Sequence, residues 1–179
     1  MNFKLTNHLH MVFVFSALVL VILSLARVGS VAFFGNWHDL AQNRHFMDDF
    51  LFKGLRFDLK LVSAVLILFF SLPVLLLSWL VPEKWFSLYL QLALKTVIIL
   101  IVFLVFTDIG YIYYYQKPID VLIFGLFEDD TSAIIDTILN SFSLLGLFAG
   151  FVVTSTVIVQ LFSRLTRQPA PVSYTHLTL

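Results

Sequence analysis

Four stretches of about 20 residues that are almost free of charge constrain the fold of this chain more than any other feature. A helix needs about 20 mostly apolar residues to cross the hydrocarbon core of a bilayer. The stretches are 11–34, with Arg27 as the one charge, 61–81, with none, 85–107, with Lys95, and 141–162, with none. The chain is 60% hydrophobic and 12% charged, with a mean hydropathy of +0.96. We therefore predict an all-α membrane protein with four transmembrane helices.

The composition excludes several classes of function. Eleven basic and eleven acidic residues give a net charge of zero, so no basic surface is available to neutralise a nucleic-acid backbone. The chain has no cysteine, which removes disulfides, thiolate nucleophiles and cysteine zinc sites. Glycine-rich phosphate loops, metalloprotease helices and serine nucleophile elbows are missing as well. We expect no catalytic constellation, metal site or cofactor in this chain.

The loops between the apolar stretches indicate the topology. Pro82, Glu83 and Lys84 form a tight turn, so the second and third spans are predicted to be antiparallel neighbours. Lysine and arginine counts do not decide the orientation. The acidic last loop, 108–137, contrasts with the basic residues after the fourth span, and this contrast favours both termini in the cytoplasm. Residues 1–10 are then a cytoplasmic N-terminus and 11–167 one transmembrane domain.

The first outer loop is predicted to contain an interfacial helix. Met47, Phe50, Leu51 and Leu55 recur at helical spacing, with charged residues on the other side. Arg56 and Asp58 follow two residues apart and cannot face each other on a helix. They are either ordinary interfacial charges or pair with the other outer loop or a lipid headgroup. Arg27, near the end of the first span, is expected to reach the headgroups.

The second outer loop is predicted to begin at Asp108, where tyrosines from Tyr111 onward suit the headgroup layer. The apolar run 121–127 is too short to cross a membrane and is predicted to lie along its surface. The acids 128–130 that follow are explained by capping of another helix, and a divalent cation site is the alternative.

Small residues line one face of the fourth span. Gly146 and Gly150 are four residues apart, a spacing that permits close helix packing or self-association. The alternative is that glycine is simply common in membrane helices.

Two motifs carry a resemblance to a known family. They are Phe52-Lys53-Gly54-Leu55-Arg56-Phe57-Asp58-Leu59, and Asp108-Ile109-Gly110-Tyr111 followed by Ile123-Phe124-Gly125-Leu126-Phe127-Glu128-Asp129-Asp130. With the late Arg27 and the proline hairpin, the chain from about residue 10 to 167 resembles the N-terminal membrane region of the lipoteichoic acid synthase family. It looks most like the bacterial phosphoglycerol transferases, sulfatase-like proteins of the alkaline phosphatase superfamily.

The resemblance implies a function for the membrane region. In that family about five membrane helices carry an extracytoplasmic domain, whose threonine nucleophile and divalent metal transfer phosphoglycerol from phosphatidylglycerol. Nothing in this chain corresponds to that domain. The resemblance thus implies a membrane anchor that presents a phosphatidylglycerol-type lipid, in the bacterial inner membrane. Arg56 is the expected phosphate contact, with Asp58, Asp108 and Tyr111 as the other headgroup contacts.

A second interpretation stays open, in which the chain is a complete small four-helix subunit of a transporter or assembly complex. Arg27, Lys95 and Asp108 would then be polar groups inside the bundle. The family pattern instead predicts a further span after Arg167. Residues 173–179 resemble translated sequencing adapter, so we expect 168–179 to be a disordered, non-native tail of a longer natural protein.

Overall fold

The computed structural model describes residues 5–35, 44–77, 81–115 and 144–167, and nearly all of them are helical. The helices are α1 (Leu5–Phe34), α2 (Arg44–Leu66), a π-helical segment (Ile67–Ser71), α3 (Leu72–Leu77), α4 (Glu83–Tyr115) and α5 (Leu144–Leu165). Four stretches within them are long and apolar enough to cross a membrane: His8–Phe33, Phe50–Leu76, Glu83–Tyr113 and Leu145–Leu165. The predicted all-α membrane fold with four spans is confirmed.

The third span is longer than its apolar stretch indicated. Helix α4 continues to Tyr115, so Asp108 and Tyr111 lie within a helix, and the prediction that a loop begins at Asp108 was wrong. The physical reason is that the first helix breaker after the span is Pro118. Gly110 does not interrupt the helix, and its Cα faces Leu147 of α5, whose Cδ1 would lie 3.5 Å from an added Cβ.

The amphipathic segment of the first outer loop is helical, as predicted, but it is not a separate helix. Helix α2 runs from Arg44 without interruption into the second span. No proline lies between Leu55 and Leu61, so the backbone hydrogen bonds continue through the segment. As a result Asp58 is part of a membrane helix and can face the first span.

The second span is irregular just before its proline. The segment Ile67–Ser71 is π-helical, and the Leu72 N–H donates to the Ile67 carbonyl oxygen. Pro73 has no N–H, and its ring conflicts with the carbonyl one turn earlier in a regular α-helix. A widened turn relieves that conflict, as π-bulges commonly do. The irregularity caused by Pro73 thus lies in the turn preceding it.

Helix α4 is the centre of the bundle. Its buried residues recur at helical spacing, as Leu90, Leu94 and Ile98 show, and they pack against α1 and α5. The fully buried Phe15 of α1 and Phe162 of α5 complete this core. Large apolar side chains on the outer faces stay exposed, since lipid tails would cover them in a membrane.

Two contacts fix the relative directions of the helices. His8 on α1 and Phe86 on α4 pack edge to face with ring centroids 5.4 Å apart, near the start of each helix. Phe106 of α4 meets Gly150 of α5. Helices α1 and α4 therefore run parallel, and α5 returns antiparallel to α4. We call the two ends of the bundle the His8 end and the Asp108 end. The segments predicted at 121–127 and 128–130 and the tail 168–179 lie outside the described residues.

Candidate functional site

An ion pair joins the first and second spans near the Asp108 end. Arg27 Nη2 of α1 donates to Asp58 Oδ1 of α2 at 2.8 Å. The side chain of Asp58 is 7% exposed and that of Arg27 is 20% exposed. Arg27 was expected to reach the headgroups or, in the second interpretation, to be a polar group inside the bundle, and the structure gives it Asp58 as a partner.

The face of α2 that meets Arg27 is built from residues four apart, namely Phe50, Gly54 and Asp58. The guanidinium Cζ lies 5.8 Å from the centre of the Phe50 ring, a distance typical of a cation–π contact. A Cβ built on Gly54 would overlap the Arg27 guanidinium. Arginine therefore lies directly on the backbone at Gly54, between an aromatic ring and a carboxylate.

Asp58 depends on this pair. Its second oxygen, Oδ2, is buried and has no hydrogen-bond partner within the described ranges. A buried carboxylate that loses its one charge partner keeps the cost of desolvation with nothing to offset it. The pair therefore determines which faces of α1 and α2 meet, and it contributes less to the free energy of unfolding.

A cavity of about 570 Å³ lies beside the pair, between α1, α2 and α4. Its polar lining residues are Arg27, Ser30 and Asp108. The other side chains of the lining are apolar, and Gly35 contributes backbone alone. The complete lining is Leu23, Ala26, Arg27, Ser30, Val31, Gly35, Phe50, Leu61, Ile101, Leu104, Val105, Asp108, Ile109 and Ile112.

The polar side chains of the cavity lie within about one helical turn of each other in depth along the bundle. At 1.5 Å per residue, Arg27 lies about 28 Å beyond His8 along α1, and Asp108 about 33 Å beyond Phe86 along α4. The hydrocarbon core is about 30 Å thick. With the His8 end at one boundary of the core, Arg27 and Asp108 therefore lie near the other, and apolar lining residues extend to both sides of them.

The four residues that were predicted to contact a lipid headgroup lie in different environments in the structure. Asp108 lines the cavity, and Asp58 is buried behind it against Arg27. Arg56 is exposed on another side of α2, and it forms no ion pair with any residue that the structure describes. Tyr111 is half-buried on α4 and does not line the cavity. Their predicted contact with a lipid headgroup stays a prediction.

The partner of Arg27 is what sequence reasoning did not identify. The signals were a single charge within an apolar span, which needs a partner, and an acid and a glycine four residues apart on the next helix. They were insufficient because Arg27 and Asp58 are 31 residues apart, and one sequence does not show which faces of two helices meet.

The two glycines of the predicted small-residue face of α5 lie in different environments. A Cβ added to Gly150 would lie 3.0 Å from Cε1 of Phe106, so this glycine permits close contact with α4. Gly146 is exposed. Self-association through this face stays a prediction.

In the described parts of the chain, no three His, Cys, Asp or Glu side chains come together as a metal-binding group. Comparison with known proteins gave no match: no protein-family model matches the sequence, and no curated protein or solved structure matches it significantly.

Proposed function

We propose that this chain is the lipid-presenting membrane region of a phosphoglycerol transferase or a related headgroup transferase. The observation that carries the proposal is the cavity, which is mostly apolar and has its polar residues near one boundary of the membrane. A ligand that fits such a cavity combines a charged group with adjoining apolar groups. Phospholipids have that character.

The dimensions of the cavity support a lipid ligand. Its volume of about 570 Å³ is within the usual range of ligand pockets. Along α1 the lining runs from Leu23 to Gly35, which corresponds to about 18 Å at 1.5 Å per residue. One leaflet contributes about half of the 30 Å hydrocarbon core. The lining on the membrane side of the polar residues, Leu23 to Arg27 on α1 and Ile101 to Asp108 on α4, corresponds to about 6 and 10 Å. The cavity therefore has room for a headgroup and the first carbons of an acyl chain.

Arg27 is the phosphate ligand in this proposal, in place of Arg56. The guanidinium group has five N–H donors, and Asp58 Oδ1 accepts from one of its nitrogens, Nη2. Its planar donor geometry suits phosphate oxygens. Arg56 remains a candidate for contact with neighbouring headgroups from the exposed side of α2.

A cavity-filling substitution tests lipid binding. Ala26 lines the cavity, so Ala26→Phe is expected to reduce the phospholipid retained by the delipidated and reloaded chain at least fivefold in native mass spectrometry. Ala32→Phe, on an exposed position of the same helix, is the matched control and should retain lipid like the unsubstituted chain. Equal retention by the two variants would refute binding in this cavity.

The transferase part of the proposal needs a different test, which is to sequence the source gene beyond the codon for Arg167. A reading frame that continues into a further span and a domain with a threonine nucleophile and metal-binding acids supports it. In that arrangement the Asp108 end faces outward from the bacterial inner membrane and both termini of this region are cytoplasmic. A stop codon at the end of this sequence would contradict the proposal.

One observation favours the alternative of a complete small membrane subunit. Arg27 is paired with Asp58 inside the bundle, as a structural polar contact of such a subunit would be. This alternative predicts that Ala26→Phe leaves lipid retention unchanged and that the gene ends with this sequence.

A further inference from the structure

We propose that Lys95 of α4 binds a carboxylate on a transmembrane helix of a partner protein, near the middle of the membrane. The surface concerned, which we call the Lys95 face, consists of Lys95 and Gln91 with the exposed apolar residues Leu88, Leu92 and Ile99. None of these residues lines the cavity, so the inference is independent of the proposed function. It follows from the depth of Lys95, the positions of the acids, and the side chains of this face.

Lys95 lies deep in the hydrocarbon core. Trp85, an exposed aromatic residue of the kind found at membrane boundaries, is ten positions earlier on α4. That separation corresponds to about 15 Å along the helix, half of the core thickness of about 30 Å. The four-carbon stem of lysine spans roughly 6 Å and is too short to bring the ammonium to the aqueous boundary. A charge at this depth requires a partner.

No acidic side chain that the structure describes lies at the depth of Lys95. Glu83 is about 18 Å before it along α4, and Asp108 about 20 Å after it, at 1.5 Å per residue. Asp58 is bound to Arg27, near the Asp108 end. Among the described residues, therefore, Lys95 has no ion pair.

The stretches outside the described residues differ in their acids. Those that adjoin helix ends at the His8 end, 1–4, 78–80 and 168–179, contain no aspartate or glutamate. The stretches 36–43 and 116–143, which contain acids, adjoin helix ends at the Asp108 end. Binding of one of those acids to Lys95 is an outcome of the test below.

Lys95 and Gln91 offer hydrogen-bond donors on one side of α4. They are four residues apart, which places them on the same face of the helix, and both are half-buried. An ammonium has donors only, and a carboxamide has two N–H donors beside its oxygen. A carboxylate accepts several hydrogen bonds, so one carboxylate can accept from both side chains.

The apolar residues beside Lys95 are available for helix packing. Leu88, Leu92 and Ile99 are exposed, and with Lys95 they follow spacings of four, three and four residues. These spacings form one stripe along a helix, as in helix–helix seams. Membrane helices associate through close packing together with polar contacts between them. The Lys95 face offers both, with the charge at the centre of the stripe.

A second copy of the chain does not match this face. In a two-fold pair of copies that share one orientation in the membrane, the same patch of each copy meets. Two Lys95 ammonium groups would then approach and repel each other. A lipid phosphate stays at the boundary of the core, about 15 Å from this depth. Charge complementarity therefore assigns the face to a different membrane helix, with an aspartate or glutamate near its middle.

Synthetic membrane helices test the inference. The full chain is reconstituted in phosphatidylcholine vesicles with a fluorescent donor on Arg167→Cys, a unique cysteine because the chain has none. The probes are leucine-rich helices of about 22 residues that have an acceptor fluorophore and aspartate, asparagine or leucine at the middle. We expect energy transfer to show about tenfold tighter association for the aspartate helix than for either of the others.

Three variants assign the preference to Lys95. Lys95→Leu removes the ammonium and should reduce the association of the aspartate helix to that of the leucine helix. Lys84→Leu is the matched control, because it makes the same substitution at an exposed position near the start of α4 and should leave the preference unchanged. Lys95→Glu reverses the charge and should prefer a probe with a central lysine, a gain that misfolding does not produce.

Several results would overturn the inference. Equal association of the three probes is one, and it is the result expected if an acid of this chain already occupies Lys95. A preference for aspartate that persists in a Lys95→Leu variant of unchanged helical circular dichroism is another. Association between donor- and acceptor-labelled copies that Lys95→Leu abolishes would assign the face to a second copy instead. Loss of probe association on addition of phosphatidylglycerol would assign Lys95 to a lipid.

Discussion

Replacing Gly54 with alanine tests the close contact between the Arg27 guanidinium and the backbone of α2. In an ordinary helix position this change stabilises by about 0.5–1 kcal/mol, because alanine loses less backbone entropy than glycine. At Gly54 the new Cβ would occupy the position of the guanidinium. The arginine side chain is long and flexible, so we expect it to move away, leaving the helices in place and Asp58 without its partner.

The cost follows from the burial of the pair. Breaking a fully buried ion pair costs about 3–5 kcal/mol. The Arg27 side chain is 20% exposed and can reach the nearby headgroups once released, so the lower part of that range applies. After subtraction of the gain in helix propensity, Gly54→Ala should be about 1–3 kcal/mol less stable than the unsubstituted chain.

Gly29→Ala is the matched control for this experiment. It makes the same substitution within α1, where an added Cβ meets nothing within 4 Å, and should be stabilised by about 0.5–1 kcal/mol. Both variants are unfolded in mixed micelles by titration with dodecyl sulfate and followed by tryptophan fluorescence. If Gly54→Ala gains stability as Gly29→Ala does, the reasoning about Arg27 is wrong.

A double-mutant cycle identifies Asp58 as the source of the cost. Asp58→Asn should destabilise the chain that has Gly54, because it weakens an intact pair. In the Gly54→Ala background the pair is already broken, and the same change should cost nothing or restore stability. We expect a coupling free energy of about 1–3 kcal/mol. Additive effects would show that Gly54 acts through something other than the ion pair.

Two further predictions concern the packing of the bundle. Phe15→Ala should cost about 2 kcal/mol or more in the same unfolding assay, because it opens a cavity at a fully buried position. Phe13→Ala, at a position 73% exposed on the outer face of α1, should be nearly neutral, and similar costs for both would mean that α1 does not face α4 as described. Gly150→Leu should destabilise by about 1–3 kcal/mol, because the added side chain conflicts with Phe106. Gly29→Leu is its control, and a Gly150→Leu variant as stable as that control would contradict the close contact of α4 and α5.

The spans were predictable because their signal is local. Each apolar stretch is long enough to cross a membrane by itself, and no tertiary information is needed to recognise it. The end of the third span was not predictable in the same way. Tyrosines after Asp108 suit the headgroup layer whether the backbone there is a helix or a loop, and only the position of Pro118 indicated that the helix continues.

The site was only partly predictable, for a different reason. Asp58 and Asp108 were identified as unusual because charges are rare near membrane spans. Arg56 was predicted as the phosphate ligand because a guanidinium is a planar donor and Arg56 belongs to the motif that carries the family resemblance. The Arg27–Asp58 contact joins two helices, and the face of α2 that meets α1 depends on how core residues such as Val62 pack, which one sequence does not show.

The length of α4 makes the bundle sensitive to the thickness of its membrane. At 1.5 Å per residue its 33 residues extend about 50 Å, and its stretch beyond Phe86 alone is longer than the hydrocarbon core. A helix that exceeds the core tilts, and a thinner bilayer increases the tilt. Because α4 forms one wall of the cavity, a change in its tilt also changes the width of the space between α1 and α4. The thickness of the bilayer therefore affects how easily a ligand enters the cavity, without the binding of a second ligand.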